Sequence, residues 1–98
     1  MRNLKITEAV AKKLADKHRV DRKEVEQCFA NRLGRLLEDK RARHKTHPPT
    51  LWFLSRTHQG RTLKIVCIQI GATIELKSAF EPNAEELAIY ARHGGLAG

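Results

Sequence analysis

His44 and His47 stand three residues apart in a segment that also holds Arg41, Arg43 and Lys45. Cleavage of RNA by its own 2′-hydroxyl needs a base for that hydroxyl, cations for the phosphorane and an acid for the leaving oxygen. Imidazole titrates near neutrality and suits both proton transfers. Guanidinium forks suit the developing charge. The Arg41–His47 segment therefore holds the right residue types for metal-independent phosphodiester chemistry, with His44 and His47 as acid and base. The alternative is a solvated loop whose cations only neutralise phosphates.

A second group of cations lies on predicted strands. Arg56 and Arg61 flank one hairpin turn, and Lys64 and Lys77 fall on adjacent strands. Side chains on one face of neighbouring strands come within several Å, so Arg56 and Lys77 are expected near the reacting phosphate. Arg61 and Lys64 are expected, with Arg41, Arg43 and Lys45, along the backbone of the nucleic acid. Trp52 is placed to stack on an unpaired base, or else it is a core aromatic of an edge strand. The H-x-x-H pair is too small a set for zinc. Cys28 and Cys67 fall inside apolar patterns and read as buried thiols. No metal and no cofactor is expected. There is no Gly-rich phosphate loop, no G-x-S-x-G elbow and no H-E-x-x-H.

The elements that would carry these groups are legible from periodicity. Leu4-Lys5-Ile6 alternates as a short strand. Thr7 caps a helix over Glu8 to about His18, with Val10, Ala11, Leu14 and Ala15 on its apolar side. Asp21 and Glu24 have the spacing of a capping box, with Val20 and Val25 placed as a hydrophobic staple. Val25, Cys28, Phe29 and Leu33 form the stripe of this second helix, and Gly34 is its expected stop. Leu36–Asp39 is a candidate strand. Pro48-Pro49 closes the basic loop. Three strands follow, Leu51–Thr57, Leu63–Ile70 and Thr73–Phe80, separated by turns at His58–Gly60 and Gly71–Ala72. Ile74, Leu76, Ser78 and Phe80 are expected on one face of the last strand, with Thr73, Glu75 and Lys77 on the other. Asn83 and Glu86 cap a final helix whose inward residues are Leu87, Tyr90 and Ala91, and residues 94–98 read as a tail. The expected fold is α+β, in the order β-α-α-β-β-β-β-α, an antiparallel sheet with helices packed on it.

Bulk properties bound the partner. The chain has 98 residues, one domain's worth, with 41% hydrophobic and 31% charged residues. Its net charge is +8 and its pI about 10.0, which points to an anionic partner, nucleic acid first and an acidic protein next. No apolar run reaches the roughly 18 residues of a membrane span, and Met1–Thr7 lacks the apolar core of a secretory signal. A cytoplasmic protein is expected.

An ordered set of residues over about 14–91 resembles the BrnT toxins of the wider RelE/ParE superfamily. The set is Lys17-His18-x-Val20 between the helices, an acid-capped second helix ending in Phe29, His44 before the hairpin, Arg56, and Gly60-Arg61-x-Leu63-x-Ile65-Val66. It closes with Ile74-x-Leu76-x-Ser78-Ala79 and a Glu86-x-x-x-Tyr90 helix. The resemblance implies a RelE/BrnT-like fold and the toxin component of a toxin–antitoxin system. It also implies an endoribonuclease acting on mRNA, with RNA and an acidic antitoxin as partners. Where that family usually has a glutamate and then an arginine after the histidine, this chain has about Pro48 and Thr50. Where its last strand usually ends Ser-Ala-Arg, this chain has Ser78-Ala79-Phe80. A non-catalytic RNA- or DNA-binding module is the alternative. Similar short chains also carry the name ADP-ribosyl-(dinitrogen reductase) hydrolase. That hydrolase family is far longer and uses clustered carboxylates around magnesium, and no such cluster is present in this sequence.

Overall fold

The computed structural model describes residues 1–41 and 47–95. The chain runs β1 (Leu4–Lys5), α1 (Glu8–Lys13), a π-helical turn (Leu14–His18), α2 (Arg22–Ala30), β2 (Leu37–Glu38), β3 (Leu51–Arg56), β4 (Thr62–Ile70), β5 (Thr73–Phe80) and α3 (Ala84–His93). The class is α+β and the order is the expected one. The sheet has five strands in the order β1-β5-β4-β3-β2. It is mixed rather than purely antiparallel: β1 lies parallel to β5, with Leu4 opposite Ile74.

Local chemistry sets the helix boundaries. Thr7 accepts from the Val10 N–H at the start of α1. Asp21 with Glu24, and Asn83 with Glu86, form complete capping boxes at α2 and α3. The first helix covers its expected span but widens into a π turn that exits through Arg19 at φ 53°, a left-handed conformation that costs a non-glycine residue energy. Helix α2 stops at Ala30, before the expected Gly34, with Asn31 as its C-cap. Leu33 therefore leaves the apolar stripe and is 88% exposed.

The sheet is covered on both faces. Phe53, Leu63, Ile65, Cys67, Leu76 and Ala79 are buried, on the face where Phe29 of α2 meets Phe53 edge-on at 5.0 Å. Helix α3 covers the other face, with the Tyr90 ring 5.6 Å from that of Trp52. A bulge in β5 corrects the expected alternation. Val66 pairs with Ser78 while Cys67 pairs with Leu76, so Lys77 is the extra residue. Leu76 consequently shares a face with Ala79, and Ser78 and Phe80 turn to the α3 side. Gly71, at φ 60°, opens the two-residue turn between Ile70 and Thr73. No helix among the described residues is long and apolar enough to cross a membrane.

Candidate functional site

The expected site residues that lie among the described residues do not converge. Arg43, His44 and Lys45 lie outside the described residues. His47 is exposed, and its peptide bond to Pro48 is cis. Arg41 is held by Asp39, through Nη2–Oδ2 at 2.9 Å and Nε–Oδ1 at 3.1 Å. These bonds, with burial opposing, raise the Arg41 pKa above its ordinary value. The Asp39 N–H bonds the Thr50 carbonyl, so Arg41 sits beside the start of β3. Arg56 is at the strand's far end, roughly 20 Å away at about 3.3 Å per residue.

Three expected nucleic-acid contacts are internal. Trp52 is buried in the core. Lys64 pairs with Glu86 and has a side chain only 9% exposed. Its Nζ lies 4.6 Å from the Trp52 ring centroid and 5.6 Å from that of Phe80. Lys64 and Lys77 form no shared patch: Lys64 stands opposite Phe80, and Lys77 is the bulged residue. Lys77 is exposed, 3.7 Å from Glu75. Arg61 bonds the carbonyls of His18 and Arg19, both at 2.8 Å, Glu24 at 3.1 Å and Glu81 at 3.0 Å. Burial works against its charge, but the Glu81 and Glu24 hydrogen bonds outweigh it and raise the pKa. A cation on the last carbonyls of a helix is favourable, so Arg61 locks the strained exit at Arg19.

The remaining strand cation, Arg56, lines a groove of about 650 Å³ between β3 and α3. Leu54, Leu87, Tyr90, Ala91 and Leu33 supply its apolar surface, and Asn31, Ser55 and Thr62 supply polar groups. Strand β2 pairs only with Leu51 and Trp52, so the rest of the β3 edge is uncovered by a strand. Side chains bridge it instead. The Tyr90 hydroxyl donates to the Arg35 carbonyl at 2.8 Å and accepts from the Leu54 N–H. Asn31 Nδ2 donates to the Arg56 carbonyl at 2.9 Å. Burial raises the Tyr90 pKa, although Arg32 and the Leu54 N–H oppose it. Ser55 Oγ is buried and has no hydrogen-bond partner among the described residues. Leu87 was expected to point inward, yet it is 46% exposed at the groove wall. Leu33 also borders a neighbouring depression lined by Arg32, Arg35, Gly34, Gly94 and Gly95.

Sequence reasoning missed this groove because it arises where α2 stops early and β2 stops short. The early Asn31 cap was the available signal, since Asn favours helix ends.

Cys28 and Cys67 are buried and free, and burial pushes both thiols up to about 11. Among the described residues no group of three or more His, Cys, Asp or Glu side chains is placed to hold a metal ion. No known protein family matches the chain, and no curated protein matches its sequence.

Proposed function

We propose that this chain is the basic, RNA-directed toxin component of a toxin–antitoxin pair, neutralised by an acidic protein partner. The observation that carries the reading is the N-terminal helical layer. Lys5, Lys12, Lys13, Lys17, Arg19 and Lys23 are exposed there, with no ion-pair partner among the described residues. They outnumber the exposed acids Glu8, Asp16 and Asp21 of the same layer. In contrast, Arg61 and Lys64 are neutralised within the fold. Exposed cations without local partners attract phosphate and release counterions when they bind it. The β-α-α-β-β-β-β-α order supports the same reading.

Endoribonuclease activity is part of the proposal, with His44 and His47 as acid and base and Arg56 as the strand cation open to a phosphate. A non-catalytic RNA-binding module is the second reading, favoured by the structural use of Arg61, Lys64 and Trp52.

The test is incubation of the purified protein with a long single-stranded RNA, at several salt concentrations, with and without EDTA. The expected result is binding that weakens steeply with salt, and cutting that EDTA does not affect and His44→Ala abolishes. Binding without cutting leaves the second reading. Absence of salt-dependent RNA binding overturns both.

A further inference from the structure

We propose that the β3–α3 groove and the arginine-lined depression beside it form one docking surface for a protein segment carrying both leucine-like and acidic side chains. The inference deepens the reading above, because it names the surface an acidic partner covers.

Two observations converge on it. First, Leu33 is 88% exposed and Leu87 46% exposed, and both border a groove whose other surfaces are Leu54, Tyr90 and Ala91. Exposed apolar residues gathered at a concavity mark an interaction surface, whereas scattered ones do not. Second, cations stand on both sides of the apolar centre: Arg56 in the groove, and Arg32 and Arg35 in the depression across Leu33. An apolar centre with a charged rim is the usual anatomy of a protein interface, and this rim selects carboxylates.

Charge also decides against a second copy as the occupant. Two chains of net charge +8 meeting through this face would bring the Arg56, Arg32 and Arg35 sets together, and like charges across an interface are costly. A segment bearing Asp or Glu beside Leu, Ile or Phe satisfies both halves of the surface. Apolar side chains enter beside Leu54 and Leu87, and carboxylates meet the guanidinium groups.

The experiment is selection from a random peptide library displayed on phage against the immobilised full chain. Selected peptides are then measured against three variants: Leu33→Ser with Leu87→Ser, Arg35→Ala, and Lys13→Ala as the distant control. The expected pool is rich in Leu, Ile or Phe and in Asp or Glu. It should lose at least tenfold in affinity on the double serine variant, several-fold on Arg35→Ala, and nothing on Lys13→Ala. Circular dichroism checks that the variants fold, which the exposure of Leu33 favours. A pool without acidic residues, a pool that binds the double serine variant equally well, or no selected pool overturns the proposal. Self-association that the double serine variant abolishes, seen by sedimentation, also overturns it by assigning the surface to a second copy. RNA binding by the double serine variant is measured in parallel and is expected to stay unchanged. If peptides bind as expected while the wild-type protein ignores RNA, the RNA reading alone falls.

Discussion

Four groups converge on Arg61: the carbonyls of His18 and Arg19 and the carboxylates of Glu24 and Glu81. A planar fork can meet several acceptors at once, and an ammonium group cannot. Arg61→Lys is therefore expected to cost about 2 kcal/mol despite keeping the charge, and to lower Tm by roughly 10 °C for a domain of this size. RNA affinity, measured well below Tm, should not change. A lost affinity at unchanged Tm would return Arg61 to the binding surface. Glu86 gives a pH-dependent counterpart. Burial raises its pKa, but the Lys64 hydrogen bond and the Asn83 backbone bond more than offset this, so the folded pKa lies below the ordinary 4.5. A depressed carboxylate contributes stability that is present above its unfolded pKa and is lost as pH falls through the folded pKa. Glu86→Gln can keep the capping bond to the Asn83 N–H while leaving Lys64 without its counter-charge. Denaturant melts should show a loss of about 2–4 kcal/mol at pH 7. The variant should also show a shallower decline than the wild type below pH 4.5.

Among the elements, β5 separates what local sequence specifies from what it does not. Asp21 with Glu24 and Asn83 with Glu86 were readable as capping boxes because the interaction spans three residues. Gly71 was readable as a turn for the same reason. The bulge at Lys77 was not, because one extra residue in an alternating strand leaves no compositional trace. Its effect is nonetheless large: it sends Leu76 to one face and Ser78 and Phe80 to the other. The parallel pairing of β1 with β5 was equally hidden, since it joins Leu4 to Ile74. The candidate site failed to read through for a related reason. Lysine and arginine announce charge, but whether Arg61 and Lys64 reach solvent depends on acceptors such as the His18 carbonyl and Glu86, which only the tertiary fold supplies. A direct comparison tests the bulge. Lys77→Ala should change stability by less than about 0.5 kcal/mol, as expected of an exposed site. Deletion of Lys77 should keep a cooperative melt, because it joins Leu76 directly to Ser78 in a regular ladder, with Cys67 still opposite Leu76 and Val66 opposite Ser78. A deletion variant that no longer melts cooperatively would show that Lys77 is not the extra residue of the ladder.

At the scale of the whole molecule, the α3 side of the sheet offers an apolar groove and the opposite helical layer offers unpaired cations. The two can be altered independently. Reversing Lys12, Lys13 and Lys17 to Glu should reduce RNA affinity more than tenfold and flatten the log affinity–log salt plot by roughly 2, at about 0.7 per single-strand phosphate contact. Peptide binding at the groove should survive. Nitrocellulose filter binding across a salt series measures the slope, and an unchanged slope would take the helical layer out of the RNA interface.

The parallel strand at the sheet's edge has a consequence for how the chain is made. During translation the N-terminal segment leaves the ribosome long before its pairing partner does, so β1 cannot dock until most of the polypeptide has been synthesised. Contacts so distant in sequence close late and slow folding. A nascent or prematurely terminated chain would therefore hold its first helices without the sheet they are meant to cover, an opening for chaperones and proteases that the finished molecule does not offer.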